Sequence, residues 1–297
     1  MINKTFYSIF KKGSKTYFYS SLFFPTNIRM EVFQLYGFVR KADNFVDDIP
    51  QDKQGFYRFK HKYERAINGE VTGDVVIDTF AKLANKNNFD KKWIDAFFTS
   101  MEMDLVKTNY VTIDDTLRYI YGSAEVIGLM MANTMNLPKE SHYYAKYLGR
   151  AMQYINFIRD IPEDLDLGRV YFPKSDLEEF GLEKLDYNYT KNHKERFIQY
   201  IHKQIDRYCE WQSIAEEGYK YIPNRYLISV KTASELYHWT AEQIYKNPFV
   251  VYEWKVKPFL TKILLTTIAN IIDPSKSKPK KLFYCPLKKT TPDYAKF

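Results

Sequence analysis

Apolar residues recur along most of this chain at spacings of three and four, the period of a helix with one buried face. Few runs alternate apolar with polar, as a half-buried strand would. The pattern predicts helices over residues 27–45, 90–107, 114–135, 143–159, 194–219, 223–245 and 257–272, with Asp90 as an N-cap. Turn signals fall between them at Ile49-Pro50, Asn68-Gly69, Leu137-Pro138, Ile222-Pro223, Asn247-Pro248 and Asp273-Pro274. Residues 163–192 read as a long, partly irregular connection, a length usually tied to function or disorder. No repeat of fixed period and no linker between two cores is visible. The expectation is an all-α chain: one domain over residues 1–273, then a basic tail over residues 274–297.

Composition changes this picture little. Of 297 residues, 26 are Tyr and 22 Phe, which suits a deep apolar pocket with a polar mouth, although A+T-rich coding gives the same excess. Cys209 and Cys285 stand far apart without a CxxC, so neither a disulfide framework nor a zinc site is expected, and a reducing cytosol fits. Residues 1–12 lack a signal-peptide core. The apolar stretch 259–272 is interrupted by Lys262 and Asn270 and is too short and polar for an ordinary membrane span.

Charge is concentrated at one end. The net charge is +8, but seven lysines (Lys276, Lys278, Lys280, Lys281, Lys288, Lys289 and Lys296) against Asp293 give the tail +6 and leave the body +2. A body without a basic stripe argues against a nucleic-acid partner. The tail reads as a solvated arm, with peripheral contact to anionic lipid, and release of a lipid product there, as the minority reading. Oligomeric state is not legible.

Two constellations carry the chemistry. Tyr36, Arg40, Asp43 and Asp47 fall within an arc of about 60° on one helix face, flanked by Leu35, Phe38, Val39, Ala42 and Val46. Gln153, Asn156, Asp160 and Asp164 span about 80°, flanked by Tyr154, Ile155, Phe157 and Ile158, with Arg159 adjacent. Pro162 should kink or end that helix, which makes the place of Asp164 less secure. Taken singly, each stripe also reads as an exposed face with a weak ion pair. Together, facing each other across a bundle, they would hold several Mg²⁺ ions and a diphosphate, and an apolar chamber would keep water from the carbocation left behind. GxGxxG, P-loop and HExxH motifs are absent, and the histidines (61, 142, 193, 202, 238) show no zinc spacing. Asp164-Leu-Asp-Leu-Gly168 lacks the later ligands of a calcium loop.

At these residues the sequence resembles the squalene/phytoene synthase family. The resemblance spans about residues 14–258 and rests on Ser14-Lys-Thr-Tyr-Phe18, Tyr36-Gly-Phe-Val-Arg-Lys-Ala-Asp-Asn-Phe-Val-Asp-Asp48, Arg118-Tyr-Ile-Tyr-Gly-Ser-Ala-Glu-Val-Ile-Gly128, and Gln153 to Asp164 followed by Gly168-Arg-Val-Tyr-Phe-Pro173. It implies an isoprenoid-synthase-type helical bundle with a central apolar cavity. It further implies that Asp43, Asp47, Asn156, Asp160 and Asp164 are metal ligands, for two or three Mg²⁺ with Mn²⁺ as a substitute. Lys15, Tyr17, Tyr36, Arg40, Gln153, Arg159, Tyr237 and Lys255 would meet the prenyl diphosphate, and Tyr119 would assist proton transfer or steady the cation. Where the family has an Ala-Gly pair, this chain reads Ala124-Glu125, which puts a carboxylate near the pocket or turns that face elsewhere.

The implied reaction is head-to-head condensation through a cyclopropyl diphosphate, which then loses a proton to give phytoene or is reduced by NADPH to squalene. The lack of a C-terminal membrane helix leans toward the phytoene reaction, two geranylgeranyl diphosphates and no NADPH. Squalene or dehydrosqualene synthesis from farnesyl diphosphate is the alternative, and a non-catalytic scaffold, which would have no need of the four aspartates, is the reading from another class. Met130, Met131, Met135 and Phe38 are candidates for the pocket floor, with plain core packing as the other reading.

Overall fold

The computed structural model describes residues 4–273; the basic tail at 274–297 lies outside the described residues. The chain forms helices α1 (Lys4–Gly13), α2 (Lys15–Ser21), α3 (Thr26–Asp47), α4 (Lys53–Ile67), α5 (Val75–Lys86) and α6 (Lys91–Asp104), then strand β1 (Asn109–Tyr110) and α7 (Ile113–Ile120). A π-helical turn, Tyr121–Glu125, leads into α8 (Val126–Thr134), followed by α9 (His142–Arg159), α10 (Ile161–Asp166) and strand β2 (Val170–Pro173). Short helices α11 (Lys174–Glu179) and α12 (Tyr187–Asn192) precede α13 (Lys194–Glu216), α14 (Asn224–Lys246), α15 (Val250–Glu253) and α16 (Leu260–Ile272).

The long periodic segments become helices close to their predicted bounds. Side-chain caps account for several starts: Ser14 accepts from Tyr17 N, Asp52 from Gly55 N, Asp90 from Lys92 N, and Thr112 and Asp115 form a capping box. The stretch predicted as one helix over 114–135 is interrupted by the π turn, in which Val126 N bonds the Tyr121 carbonyl five residues back. The connection over 163–192 is more ordered than its composition suggests. It holds α10, α11, α12 and β2, and β2 pairs in parallel with β1, Asn109 opposite Val170 and Tyr110 opposite Pro173. That pairing brings the segment after α10 beside the end of α6.

Two buried clusters flank a central cavity. One is built on phenylalanine, with Phe38 stacked on Phe80 at 3.7 Å; the other is rich in tyrosine, including Tyr119, Tyr154, Tyr171 and Tyr200. Several tyrosine hydroxyls in the second cluster find partners, as Tyr154 does in Arg207 at 2.7 Å. Helix α3 packs on α1, α4 and α5, helix α9 on α8, α13 and α14, and the cavity opens between α3 and α9.

Close approach of backbones shapes one wall. A Cβ on Gly149 of α9 would lie 2.4 Å from the Ala124 carbonyl oxygen, and one on Gly128 of α8 would lie 2.2 Å from that of Ala145. Both clashes are with backbone, so no side chain can swing aside. Gly149→Ala should therefore destabilise the protein by about 1–3 kcal/mol, as read by denaturant unfolding; a variant as stable as the parent would show that α9 can retreat freely.

Candidate active site

All four residues of the first stripe, Tyr36, Arg40, Asp43 and Asp47, line a cavity of about 480 Å³. From the second stripe come Gln153, Asn156 and Asp160, with Arg159 beside them. Pro162 does end α9. It has no N–H to give, Asp160 leaves helical geometry at φ −101° and ψ 18°, and a new helix starts with the proline in its first turn. The break is shallow: Asp164 N still bonds the Asp160 carbonyl at 2.9 Å, and Asp164 stays on the cavity wall. Lys15 and Tyr17 of α2, Tyr119 of α7 and Tyr237 of α14 line the same space.

The structure moves one predicted residue off the cavity wall and settles two readings that the sequence left open. Lys255 is not on the cavity wall; its ammonium lies 2.9 Å from both Asp160 Oδ1 and Glu163 Oε1 at the edge, and Lys257 lines the cavity instead. Glu125 faces away. It is buried against Arg150 at 2.6 Å, whose guanidinium also lies over the Tyr147 and Trp211 rings. Met131 and Met135 line the cavity, whereas Met130 and Phe38 belong to the packed core.

Three residues outside the predicted set complete the polar end. Arg169, almost wholly buried, bonds Asp47 at 2.8 Å, the Tyr171 hydroxyl at 3.1 Å, and the Val46 and Asp104 carbonyls. The Asp104 carboxylate accepts from Tyr119 at 2.7 Å and from Tyr171 at 2.8 Å. A signal for Asp104 was present: it continues the buried stripe of Phe97 and Met101 at helical spacing. Arg169 and Tyr171 sit in the segment after Gly168, but only the β1–β2 pairing carries them across to α3 and α6.

The charges at this end are in strong tension. Burial, then the neighbouring Asp47 carboxylate, pushes Asp43 up to about 8 against the pull of Arg40. Burial raises Asp104 to about 6, opposed by Arg169 and the two tyrosine hydroxyls. Burial and the Asp160 and Asp47 carboxylates raise Asp164 well above its usual range. Asp160 is the exception: burial works against its charge, but Arg159, at 2.8 and 2.5 Å, and Lys255 outweigh it and hold the carboxyl below its usual range. Among the described residues, no three His, Cys, Asp or Glu side chains close on one point at ligand distance. Asp47 and Asp160 are drawn to Arg169, Arg159 and Lys255 instead.

Much of the remaining lining is apolar, including Phe24, Val39, Ile127, Met131, Met135 and Leu137. Replacing Arg169 with Met keeps bulk but takes the guanidinium away from Asp47 and from the buried Asp104 carboxylate, while Gln51 still donates to the Val46 and Asp104 carbonyls. It should cost about 3 kcal/mol of stability by chemical denaturation; an unchanged midpoint would mean the Arg169 network is not a structural tie.

Comparison with known proteins agrees with this geometry. The sequence model described as squalene/phytoene synthase matches residues 10–262. A 15-cis-phytoene synthase of Pantoea ananas is 28% identical over 237 residues, 76% of either chain, and the chloroplastic phytoene synthase 2 of Solanum lycopersicum is 26% identical over 290 residues, 93% of this chain and 91% of that one. A 4,4'-diapophytoene synthase of Staphylococcus haemolyticus is 28% identical over 190 residues, 61% of this chain and 65% of its own. Among solved structures, a ligand-bound dehydrosqualene synthase superposes with a TM-score of 0.79 at 21% identity, covering 89% of this chain and 93% of that one. The fold predicted from helical periodicity is thus the one observed, and the chain belongs to the squalene/phytoene synthase family of head-to-head prenyltransferases.

Proposed function

We propose that this enzyme is a phytoene synthase, joining two geranylgeranyl diphosphates with the help of Mg²⁺ through a cyclopropyl diphosphate. The observation that carries the reading is one cavity that joins acidic residues of α3 and of the α9–α10 junction to a largely apolar lining. The phytoene synthases among its relatives, aligned over three quarters or more of the chain, support the C20 substrate. Met131 and Met135 in the apolar lining favour the second reading, in which two long side chains shorten the space to suit farnesyl diphosphate and a C30 product.

The donor set fits a hard cation. Asp43, Asp47, Asp160 and Asp164 supply oxygen, and Asn156 Oδ1 is buried with no hydrogen-bond donor of its own. These five residues would hold Mg²⁺, with phosphate oxygens and water filling the remaining positions. When bound, the metal neutralises the charge that develops on a departing diphosphate. Lys15, Arg40, Arg159 and Lys257 would grip the diphosphate oxygens from the same end, with Tyr17, Tyr36, Gln153 and Tyr237 orienting it. Lys255, bound to Asp160 and Glu163, would act at the edge by holding Asp160 in place.

Tyr119 donates its hydroxyl proton to the Asp104 carboxylate, so its oxygen lone pairs remain for a cation, and the proton lost at the end would be taken up there as the tyrosine's own proton passes to Asp104. The apolar walls keep water from that cation. NADPH has no part in the phytoene reaction.

The test is a product assay with purified enzyme and Mg²⁺ and without NADPH, offering geranylgeranyl and farnesyl diphosphate separately. Phytoene from the C20 substrate is expected; a C30 hydrocarbon from farnesyl diphosphate alone would move the reading to dehydrosqualene synthesis. Asp43→Asn and Asp160→Asn should each lower turnover by about 100-fold or more with the circular dichroism unchanged. Near-normal turnover in either would sink the metal assignment.

A further inference from the structure

Helix α16 is built inside out. Its buried positions are Ile263, Thr267 and Asn270, with Thr267 and Asn270 only 1% and 2% exposed. Asn270 holds the helix to α14 by donating to Thr232 Oγ1 at 3.2 Å and Glu235 Oε2 at 2.7 Å. The opposite face carries Leu260, Leu264, Leu265, Ile268, Ile271 and Ile272, all exposed, Leu265 at 66% and Ile272 at 78%. At about 100° per residue they share an arc of about 140°, interrupted only by Thr261. A surface helix ordinarily does the reverse, and an apolar stripe of this width facing solvent marks an interaction surface. Phe259 and Trp254 extend it, stacked on each other with centroids 6.4 Å apart and both exposed.

We propose that this face of α16 docks on an anionic lipid surface. Two observations choose that occupant. The first is charge: Lys262 is the only charged residue in the helix, and the sequence that follows carries Lys276, Lys278, Lys280 and Lys281 within nine residues of its end, part of a segment of net charge +6. An apolar face followed in sequence by a run of lysines complements a bilayer with acidic headgroups. It disfavours a second copy of the same face, because each copy adds a further +6 to the pair.

The second is position. Helix α16 packs on α14 and α2, and both of those helices line the cavity. The segment from Trp254 to Phe259 includes Lys255, paired with Asp160, and Lys257 on the cavity wall. The docking face is therefore one helix away from the reaction chamber. No described helix is long and apolar enough to cross a membrane, so the contact is interfacial. The inference does not depend on which diphosphate the cavity takes.

The test is flotation of the full chain with phosphatidylcholine vesicles, with and without phosphatidylglycerol. The parent should float with the anionic vesicles and much less with the neutral ones. The double variant Leu265→Glu, Ile268→Glu should lose binding by about tenfold or more while keeping its turnover in detergent, since both side chains face outward. Changing Lys276, Lys278, Lys280 and Lys281 to Glu should remove the preference for anionic lipid. A parent that stays with the soluble fraction would overturn the proposal, whether its face is covered by residues 274–297 or by a second copy; sedimentation that shows a dimer in the parent and a monomer in the double variant would identify the second copy. Equal flotation of parent and double variant would overturn it as well.

Discussion

The burial of carboxylates at one end of an apolar cavity is the constraint on which the rest of this structure depends. Asp43, Asp104, Asp160 and Asp164, with the more exposed Asp47 beside them, line one wall system around a space of about 480 Å³. Charge taken out of water must be paired or neutralised. Here the protein answers in two ways. Arg169, Arg159 and Lys255 pair with Asp47 and Asp160, while Asp43 and Asp164, further from a cation, have their charged forms disfavoured. A site held in that balance is poised for added positive charge and for a polyanionic ligand that comes with it. The same arrangement explains why Arg169 is buried so deeply: it ties α3, the end of α6 and β2 together at the point where the carboxylates crowd.

The apolar remainder of the cavity depends on how closely helices can approach. Gly149 meets the backbone at Ala124 and Gly128 meets it at Ala145, which sets α8 and α9 side by side. The π turn at Tyr121–Glu125 inserts a residue into that wall. It leaves Ser123 and Ala124 on the cavity side and turns Glu125 away into its pairing with Arg150. A carboxylate at the position where the family has a small residue is thereby kept out of the chamber, where it would have opposed the bound diphosphate.

Much of this was legible in the sequence because helical period and charge pattern are local. The stripes at Tyr36 to Asp47 and Gln153 to Asp164 needed only the geometry of a helix, and the kink at Pro162 followed from its missing N–H. What escaped was set by tertiary contact. Helices α4 and α5 are the exception, because their signal is local: the Asp52 and Asp74 caps are followed by Phe56, Phe59 and Tyr63 and by Ile77, Phe80 and Ala84 at helical spacing. Arg169 reaches Asp47 only through the two-strand pairing, and Glu125 could be placed only once Arg150 was seen across from it. The exposed face of α16 was hidden for a different reason: its apolar residues look like core in sequence, and only packing shows that Thr267 and Asn270 took the buried side.

The central claim is that α3 and α9 hold Mg²⁺ and a diphosphate together, neither well without the other. Titration calorimetry with an unreactive thiodiphosphate analogue of the substrate, in the presence and absence of Mg²⁺, measures that linkage directly. Tight binding that requires Mg²⁺ in the parent, and is lost when Asp43 and Asp160 are both changed to Asn, is the predicted result. Binding of equal strength without the metal, or in the double variant, would contradict it.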